Sequence, residues 1–162
     1  MTKTIPVPSS PPVPGLKLRL THPDVPLPVR AYSNAAAFDL HAWLARPDGR
    51  FRTVTLGPGI TQVVPTGLCL KPPPGYCVLV CSRSGLASNG IFVTNAPGVI
   101  DPDYTGEISC ILTNAGMETQ YVKHGDRIGQ ILIVPYLTPK LELVNELPST
   151  ERGEKGFGST GA

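Results

Sequence analysis

Proline and glycine are unusually frequent in this chain, and they limit it to short elements of secondary structure. Of its 162 residues, 19 are proline and 17 are glycine, above the average usage of about 5% and about 7%. Because both residues favour turns and proline interrupts helices, we expect short strands joined by tight turns rather than long helices. The hydrophobic fraction of 41%, against 16% charged residues, predicts one folded globular domain.

Short apolar or alternating runs recur along the chain and are separated by turn signals such as Pro47-Asp48-Gly49. The alternation predicts strands, and one helical turn is predicted at residues 84–88. Many short strands at this spacing predict an all-β fold, either a sandwich or a barrel. The predicted strands are residues 16–20, 51–55, 60–64, 68–71, 76–81, 91–93, 107–113, 127–136 and 141–144.

The two ends of the chain differ from its body in composition. Residues 1–15 hold five prolines and few large apolar side chains, which predicts a disordered or polyproline-like tail that is either solvated or a ligand for a Pro-binding partner. Residues 16–150 form the predicted β domain. Residues 151–162 contain Phe157 as their one core-type side chain and are predicted to be a mobile arm.

Charge, cysteine spacing and the length of apolar runs exclude several classes of protein. The net charge is +2 without a long basic run, so no nucleic-acid polymer is expected as a ligand. The four cysteines lack C-x-x-C spacing and are predicted to be buried free thiols, and the scattered histidines predict no zinc cluster. No apolar run approaches the ~18 residues of a membrane span and no apolar signal core is present, so an intracellular protein is expected, in cytoplasm or nucleus.

The segment from Asn95 to Glu107 reads as a β-hairpin suited to binding a nucleotide. Its free backbone groups can pair with a planar base, Asp101 at its tip can hold a water molecule, and Tyr104 can wall off a sugar. An ordinary aspartate is a weak base, so Asp101 would hold water in line and accept its proton late. The alternative is that Asp-Pro-Asp simply forms a turn.

Two further segments carry groups that suit a phosphate. Arg83, Ser84 and Gly85 follow a predicted strand and open a short helix, where a guanidinium and a hydroxyl favour an anion; a plain N-cap serine is the alternative. Asp39 lies among small residues and is predicted to orient metal-bound waters or fix an arginine, and a purely structural salt bridge is the alternative. Any metal is expected to be Mg²⁺ carried by the phosphates, with few direct protein ligands.

A third segment opens a predicted strand after the turn at Gly125. Gln130 in this strand can reach a phosphate, while Asp126 and Arg127 brace the turn.

The C-terminal arm also combines phosphate-binding and base-stacking groups. Its glycines let backbone N–H groups surround an anion, and Gly158, Ser159 and Thr160 add donors. Arg152 offers a bidentate fork to phosphate. Phe157 has nothing to bury against in a polar arm, and stacking on a base, worth about 1–3 kcal/mol, explains it. The alternative is an ordinary disordered tail. The arm is not a Walker A loop, because the sequence Gly-x4-Gly-Lys-Ser/Thr is absent.

Five segments in this order resemble the five motifs of the trimeric dUTPase family: residues 37–42, 83–87, 95–107, 125–130 and 152–161. The resemblance spans essentially the whole chain outside the Pro-rich tail. It implies a jelly-roll-like β fold, a distorted barrel of the β-clip type, and a homotrimer with three shared active sites. In that family the first, second and fourth motifs come from one subunit, the third from a neighbour and the arm from the remaining subunit.

The activity that the resemblance implies is the hydrolysis of dUTP to dUMP and pyrophosphate, assisted by Mg²⁺. This reaction keeps uracil out of DNA and supplies dUMP for dTTP synthesis. Carried over, Asp101 activates the water that attacks the α-phosphorus and Asp39 lies near the metal–water network. Tyr104 packs under deoxyribose and leaves no room for a 2′-hydroxyl, and Phe157 caps uracil. The other residues bind substrate: Asn95 and the backbone around Gly98 and Ser109 recognise uracil, Arg83, Ser84, Gly85 and Gln130 hold the phosphates, and Arg152, Gly158, Ser159 and Thr160 close on the triphosphate.

The chain departs from the family pattern at Ser82, where Pro or Ala is frequent, at Asn89, where a basic residue is common, and at Lys155, where glycine is frequent. Two rival interpretations are a dCTP deaminase and a non-enzymatic interaction module that uses the Pro-rich tail. The deaminase needs a glutamate at C4 of the pyrimidine, whereas this segment offers Asp101 and Tyr104. Loss of Asp101, Tyr104 or the C-terminal arm would favour the interaction module. All three are present, which favours the enzyme.

Overall fold

The computed structural model describes residues 15–154 and residue 156, and it is built almost entirely of strands. No helix in this described part is both long and apolar enough to cross a membrane. The elements in chain order are β1 (Lys17–Leu20), β2 (Phe38–His41), β3 (Val54–Leu56), β4 (Thr61–Lys71), β5 (Tyr76–Cys81), α1 (Ser84–Ala87), β6 (Ile91–Val93), β7 (Gly98–Ile100), β8 (Glu107–Asn114), β9 (Gln120–Val122) and β10 (Arg127–Pro135).

Two four-stranded sheets and one strand pair organise these elements. The first sheet has the order β1-β4-β8-β6, the second has the order β2-β10-β5-β7, and β3 pairs with β9. All of the pairings are antiparallel. The prediction of an all-β, jelly-roll-like fold is confirmed. Among the described residues, however, the sheets stay open and do not close into a barrel.

The core forms where apolar side chains alternate along the strands. In β8 every second residue is buried, from Ile108 through Leu112 to Asn114. Strands of both large sheets and of the β3–β9 pair contribute to one apolar cluster. Each fully buried aliphatic side chain contributes about 1.5–3 kcal/mol, so this cluster fixes the register of the strands that carry the candidate site.

A bulge joins two predicted strands into one. Residues 60–64 and 68–71 both belong to β4, whose pairing with β8 shifts between Pro65 and Leu68. Gly67 has a φ of +70°, which glycine adopts without strain. Its N–H donates to Glu107 Oε1 at 2.7 Å, and the Thr66 hydroxyl donates to the carbonyl of Ile108 at 2.6 Å. These bonds satisfy polar groups that the bulge removes from the ladder.

Other local predictions differ from the structure because strand pairing is not readable from a single segment. Strands β2 and β9 were not predicted, and β3 starts at Val54, with Phe51 forming only an isolated bridge to Ala45. Residues 141–144 have the predicted alternation but pair with nothing in the described chain, and Leu141 and Leu143 are 92% and 102% exposed. The predicted helical turn is confirmed as α1.

The cysteines are free thiols, as predicted. Cys69, Cys77 and Cys110 are buried, whereas Cys81 is partly exposed. Burial raises the pKa of the Cys110 thiol to about 12, so this side chain behaves as a small apolar group of the core.

Candidate active site

Asp39 is the centre of an ion-pair cluster between β2 and β10. Its Oδ1 accepts a hydrogen bond from Arg83 Nε at 2.8 Å, and its Oδ2 accepts one from Arg127 Nη1 at 3.3 Å. The carboxylate is almost buried, and the side chain of Arg83 is only 24% exposed. Asp39 thus fixes an arginine, which is one of the roles that the sequence predicts for it.

The strand register explains how these residues meet. In the antiparallel pair of β2 and β10, Asp39 lies opposite Gln130 and His41 lies opposite Arg127. The register shifts between Arg127 and Gly129, and the Arg127 side chain reaches across the strand pair to Asp39 Oδ2. Arg127 therefore bonds to Asp39 instead of bracing the turn. Asp126 alone does that, because its Oδ2 accepts the N–H of Lys123 at 2.7 Å.

A small cavity of about 170 Å³ opens beside this cluster. Its polar lining comes from three segments that are distant in sequence. Two of them were predicted to bind phosphate, and the third, around Asp39, was predicted to orient metal-bound waters or fix an arginine. The side chain of Gln130 is oriented by its Nε2, which donates to the carbonyl of Ser82 at 2.8 Å. The lining residues are Asp39, Arg83, Ser84, Gly85 and Gln130, with Ala31, Ala35 and Ala37.

The charge around this cavity favours an anion. Two guanidiniums, of Arg83 and Arg127, share one carboxylate, which leaves a net positive charge. Desolvation by burial, helped by Arg127 and Arg83 and opposed by Asp39, lowers the pKa of His41 below its ordinary value. His41 is therefore neutral at neutral pH, and its Nδ1 is buried without a hydrogen-bond partner in the described residues.

The segment 95–107 is not a hairpin, contrary to the prediction. Strand β7 pairs with β5 in one sheet, whereas β8 pairs with β4 and β6 in the other. The segment between them, called the β7–β8 connection (residues 101–106), crosses from sheet to sheet. It does turn tightly, because Tyr104 N–H donates to the carbonyl of Asp101 at 3.1 Å. Flanking strands that each have a better partner elsewhere cannot pair with each other, and the turn alone does not reveal this.

The residues predicted to act as the general base and to contact the deoxyribose and the uracil lie in and beside this connection. Asp101 is exposed at its start, and Tyr104 is 45% exposed, with its hydroxyl donating to the carbonyl of Glu107 at 3.0 Å. Asn95 is exposed and lies against Gly98 in β7, and Ser109 is half-buried in β8.

One described chain does not bring all the predicted residues together. Neither Asp101, Asn95 nor Tyr104 lines the cavity that holds Arg83 and Gln130. The single chain thus assembles the predicted phosphate groups in one place and the predicted base and sugar groups in another.

The C-terminal predictions are only partly covered by the structure. Arg152 is described and exposed. Phe157, Gly158, Ser159 and Thr160 lie outside the described residues, as do Lys155 and the tail up to residue 14.

Two residues of the site were missed by the sequence interpretation. The sequence predicts that Arg127 braces the turn, and only the register between β2 and β10 reveals its bond to Asp39. Gly106 was not singled out, and no sequence signal marks its close contact with Tyr104.

Comparison with known proteins decides which family the chain represents. A model of the dUTPase family matches residues 23–161. The chain belongs to the dUTPase family. It is therefore an enzyme of the dUTP diphosphatase class. The five motifs that carried the resemblance all lie within the matched residues.

Curated relatives in bacteria agree with this family over nearly their whole length. The chain is 44% identical over 160 residues to the deoxyuridine 5'-triphosphate nucleotidohydrolase of Beijerinckia indica subsp. indica, covering 98% of this chain and 96% of that protein. It is 45% identical over 138 residues to the enzyme of the same name from Anaplasma marginale, covering 85% of this chain and 90% of that one.

Solved structures agree as well. A mutant dUTPase of Staphylococcus bacteriophage 80alpha with dUpNHpp superimposes with a TM-score of 0.80 at 28% identity, covering 91% of this chain and 99% of that one. A mutant dUTPase of phage phi11 of S. aureus, described as coordinating a structural Mg(II) ion, superimposes with a TM-score of 0.73 at 25% identity, covering 84% and 100%.

Proposed function

We propose that this chain hydrolyses dUTP to dUMP and pyrophosphate by directing a water molecule at the α-phosphorus. The observation that carries the proposal is the cavity in which Asp39 holds Arg83, together with Ser84, Gly85 and Gln130. A cavity that offers a guanidinium, a hydroxyl and a side-chain amide, beside an ion-pair cluster of net positive charge, fits a phosphate chain. Family membership supplies the identity of the nucleotide.

The two guanidiniums suit the charge changes of the reaction. Negative charge grows on the leaving pyrophosphate as the bond between the α-phosphorus and its bridging oxygen breaks. Fixed donors stabilise such charge without having to reorganise, and removal of one typically costs about 10²–10³ in kcat. The hydrogen bond that Arg83 Nε donates to Asp39 Oδ1 fixes Arg83 before substrate binds, which is the preorganisation that this effect requires.

Asp101 is proposed to hold the attacking water and accept its proton. Its side chain is exposed at the start of the β7–β8 connection, where solvent reaches it. No arginine, lysine or histidine of the described residues forms an ion pair with it. Tyr104 is proposed to pack under the deoxyribose, and Asn95 with the backbone around Gly98 and Ser109 to recognise uracil. A site that hydrogen-bonds a base discriminates more strongly than a purely apolar one.

The complete site is proposed to form in a homotrimer. The separation of the phosphate cavity from Asp101 and Tyr104 within one chain supports this, because a second copy can bring the missing half to the cavity. The body (residues 16–150) is proposed to carry both halves, and the arm (residues 151–162) to close over the substrate. In the arm, Arg152, Gly158, Ser159 and Thr160 would contact the triphosphate and Phe157 would cap uracil. The tail (residues 1–15) is proposed as a separate segment that is free to contact a partner.

Magnesium is proposed to enter with the substrate. In the described residues, no group of three or more His, Cys, Asp or Glu side chains is arranged to hold a metal ion, and both oxygens of Asp39 already accept hydrogen bonds from arginines. This donor set fits Mg²⁺ that keeps its waters and is bound mainly by phosphate oxygens. Asp39 would touch that ion only through water. The ion's chemistry would be to neutralise the phosphates and withdraw charge from the scissile bond.

In the cell this reaction would keep uracil out of DNA and supply dUMP for dTTP synthesis. A pyrophosphate-release assay with dUTP, dCTP, dTTP and UTP tests the substrate. Of the four nucleotides, we expect only dUTP to be hydrolysed at a high rate. Release of ammonia from dCTP would instead indicate a deaminase.

The role of Asp101 is tested by Asp101→Asn, with Asp103→Asn as the matched control. Both aspartates are exposed and lie in the same turn, so local effects on the connection should be similar. We expect Asp101→Asn to lower kcat by about 10² or more while the affinity for dUpNHpp stays within a few fold. Asp103→Asn should retain most of the activity. Equal activity of the two variants would remove Asp101 from the role of base.

The role of the arm is tested by deleting residues 151–162. The described part of this segment is exposed, so the fold and the oligomeric state should survive, as judged by circular dichroism and sedimentation. We expect turnover to be lost because closure excludes water and orients the phosphates. Full activity of the truncated chain would refute the assignment of the arm as a lid.

A further inference from the structure

Gly106 does not have the positive φ that requires glycine elsewhere in the chain, as at Gly67 or Gly125. Left-handed backbone strain therefore does not explain glycine at this position. Its surroundings supply another reason, which is space.

The missing space is filled by the ring of Tyr104. A Cβ placed on Gly106 would lie 2.5 Å from Tyr104 Oη, 2.6 Å from its Cζ and 3.0 Å from its Cε2. Carbon atoms in favourable contact lie about 3.5–4.0 Å apart. The ring folds back over the backbone of Gly106 at a distance that any side chain would prevent.

The ring is also held at its far end. Its hydroxyl donates to the carbonyl of Glu107 at 3.0 Å. The carboxylate of Glu107 accepts the N–H of Gly67 in the β4 bulge at 2.7 Å. A ring that moves away from Gly106 must therefore lengthen or break the hydroxyl bond that ties it to the first residue of β8.

We propose that Gly106 is a specificity-determining positioning residue, which by lacking a side chain holds the Tyr104 ring where it excludes a 2′-hydroxyl. The proposal rests on the role proposed above for Tyr104 in packing against the sugar. Gly106 itself need not touch substrate. It sets how far the ring stands from the sugar and so sets the preference for dUTP over UTP.

The expected effect follows from the geometry. Relief of the contact in Gly106→Ala moves the ring by about 1 Å, from 2.5 Å towards 3.5 Å. A misplacement of about 1 Å can cost on the order of 10²-fold in rate, and a pocket distinguishes ligands that differ by one small group by about 10–200-fold. We expect the ratio of kcat/KM for dUTP to that for UTP to fall about tenfold or more.

The experiment compares Gly106→Ala with Gly57→Ala as the matched control. Gly57 also has an ordinary φ, and a Cβ there would meet only Ile60 Cγ1 at a normal 3.5 Å. Steady-state kinetics with dUTP and UTP are measured on both variants. We expect the dUTP preference to fall in Gly106→Ala and to stay unchanged in Gly57→Ala. A wild-type preference in folded Gly106→Ala overturns the proposal.

The Tyr104→Phe background shows whether the contact itself is responsible. It removes Oη, the atom nearest to the added Cβ, and frees the ring from Glu107. Gly106→Ala should therefore alter the dUTP preference less in this background, a non-additivity expected of residues in contact. If Gly106→Ala alone fails to fold, Gly106→Ala is combined with Tyr104→Ala, which removes all three ring atoms that the added Cβ would meet. Recovery of folding in that double variant supports the contact, and no recovery overturns it.

Tyr104→Ala separates this proposal from the function on which it depends. If Tyr104→Ala keeps the preference for dUTP, the role of Tyr104 is wrong, and the proposal falls with it. If Tyr104→Ala loses the preference while Gly106→Ala keeps it, only the proposal for Gly106 is wrong.

Discussion

Replacement of Asp39 by asparagine should both destabilise the fold and displace Arg83. The substitution keeps the size of the side chain but removes the charge that two guanidiniums share. One amide oxygen can still accept from one arginine. The amide nitrogen then faces the other arginine, donor against donor, in a position where the native side chain is only 11% exposed.

The two contacts do not contribute equally. The bond from Arg83 Nε is short, at 2.8 Å, and both partners are mostly buried, so it falls in the range of about 1.5–3 kcal/mol for hydrogen bonds to charged groups. The bond from Arg127 is 3.3 Å long and that side chain is 53% exposed, so solvent screens it to about 0–1 kcal/mol. We expect a total loss of about 1.5–4 kcal/mol, at or below the cost of breaking a deeply buried pair.

Urea denaturation and steady-state kinetics of Asp39→Asn test this expectation, with Asp48→Asn as the matched control. Asp48 also pairs with an arginine, but the atoms are 3.7 Å apart and both side chains are more than half exposed. The control should lose less than about 1 kcal/mol and no activity. A loss of stability in Asp39→Asn no larger than in Asp48→Asn, with kcat/KM unchanged, would refute the assignment of Asp39 as the residue that fixes Arg83.

Three further substitutions test the packing and protonation of the site. Gly129→Ala adds a Cβ only 2.8 Å from the buried Cys110 Sγ and should cost about 1–3 kcal/mol in urea denaturation; Cys110→Ala should remove most of that cost, and an equal cost in both backgrounds would contradict the contact. Burial lowers the pKa of His41, so below about pH 6.5 the unfolded state binds more protons and stability falls as the pH decreases. His41→Gln should reduce the pH dependence of the free energy of unfolding between about pH 7.5 and 5. An unchanged pH dependence would show that other groups cause it. Gly98→Ala adds a Cβ 2.8 Å from Asn95 Nδ2 and should raise KM for dUTP; an unchanged KM would separate this contact from base recognition.

The sequence was sufficient for elements whose hydrophobic pattern is local. Strand β8 is rich in apolar and β-branched residues, β5 is a compact apolar run, and α1 directly follows the end of a strand, so each was found close to its observed bounds. Pairing is not local, and there the predictions failed. The alternation at residues 141–144 says which side chains share a face but supplies no neighbouring strand. The turn at Asp101–Tyr104 is real, yet its flanking strands belong to different sheets.

The candidate site shows the same division between residue type and residue partner. Arg83, Ser84, Gly85 and Gln130 were predicted from their chemistry, and the structure places them around one cavity. The bond between Arg127 and Asp39 depends on a register shift in the β2–β10 pair, and the hydrophobic pattern of the sequence does not predict this shift. The need for glycine at position 106 depends on the direction of the Tyr104 ring, which the sequence does not reveal.

The way Arg83 is held explains why an arginine, and not merely a cation, occupies this position. Asp39 bonds the Nε–H of Arg83, and Nε is the inner of the three guanidinium nitrogens. The two terminal nitrogens, which carry four of the five donors, remain for the cavity that Arg83 also lines. One planar group can thus be fixed by the protein on one edge and bind a phosphate with another. A lysine has a single nitrogen for both tasks, so an ion pair with Asp39 would draw its charge away from the anion.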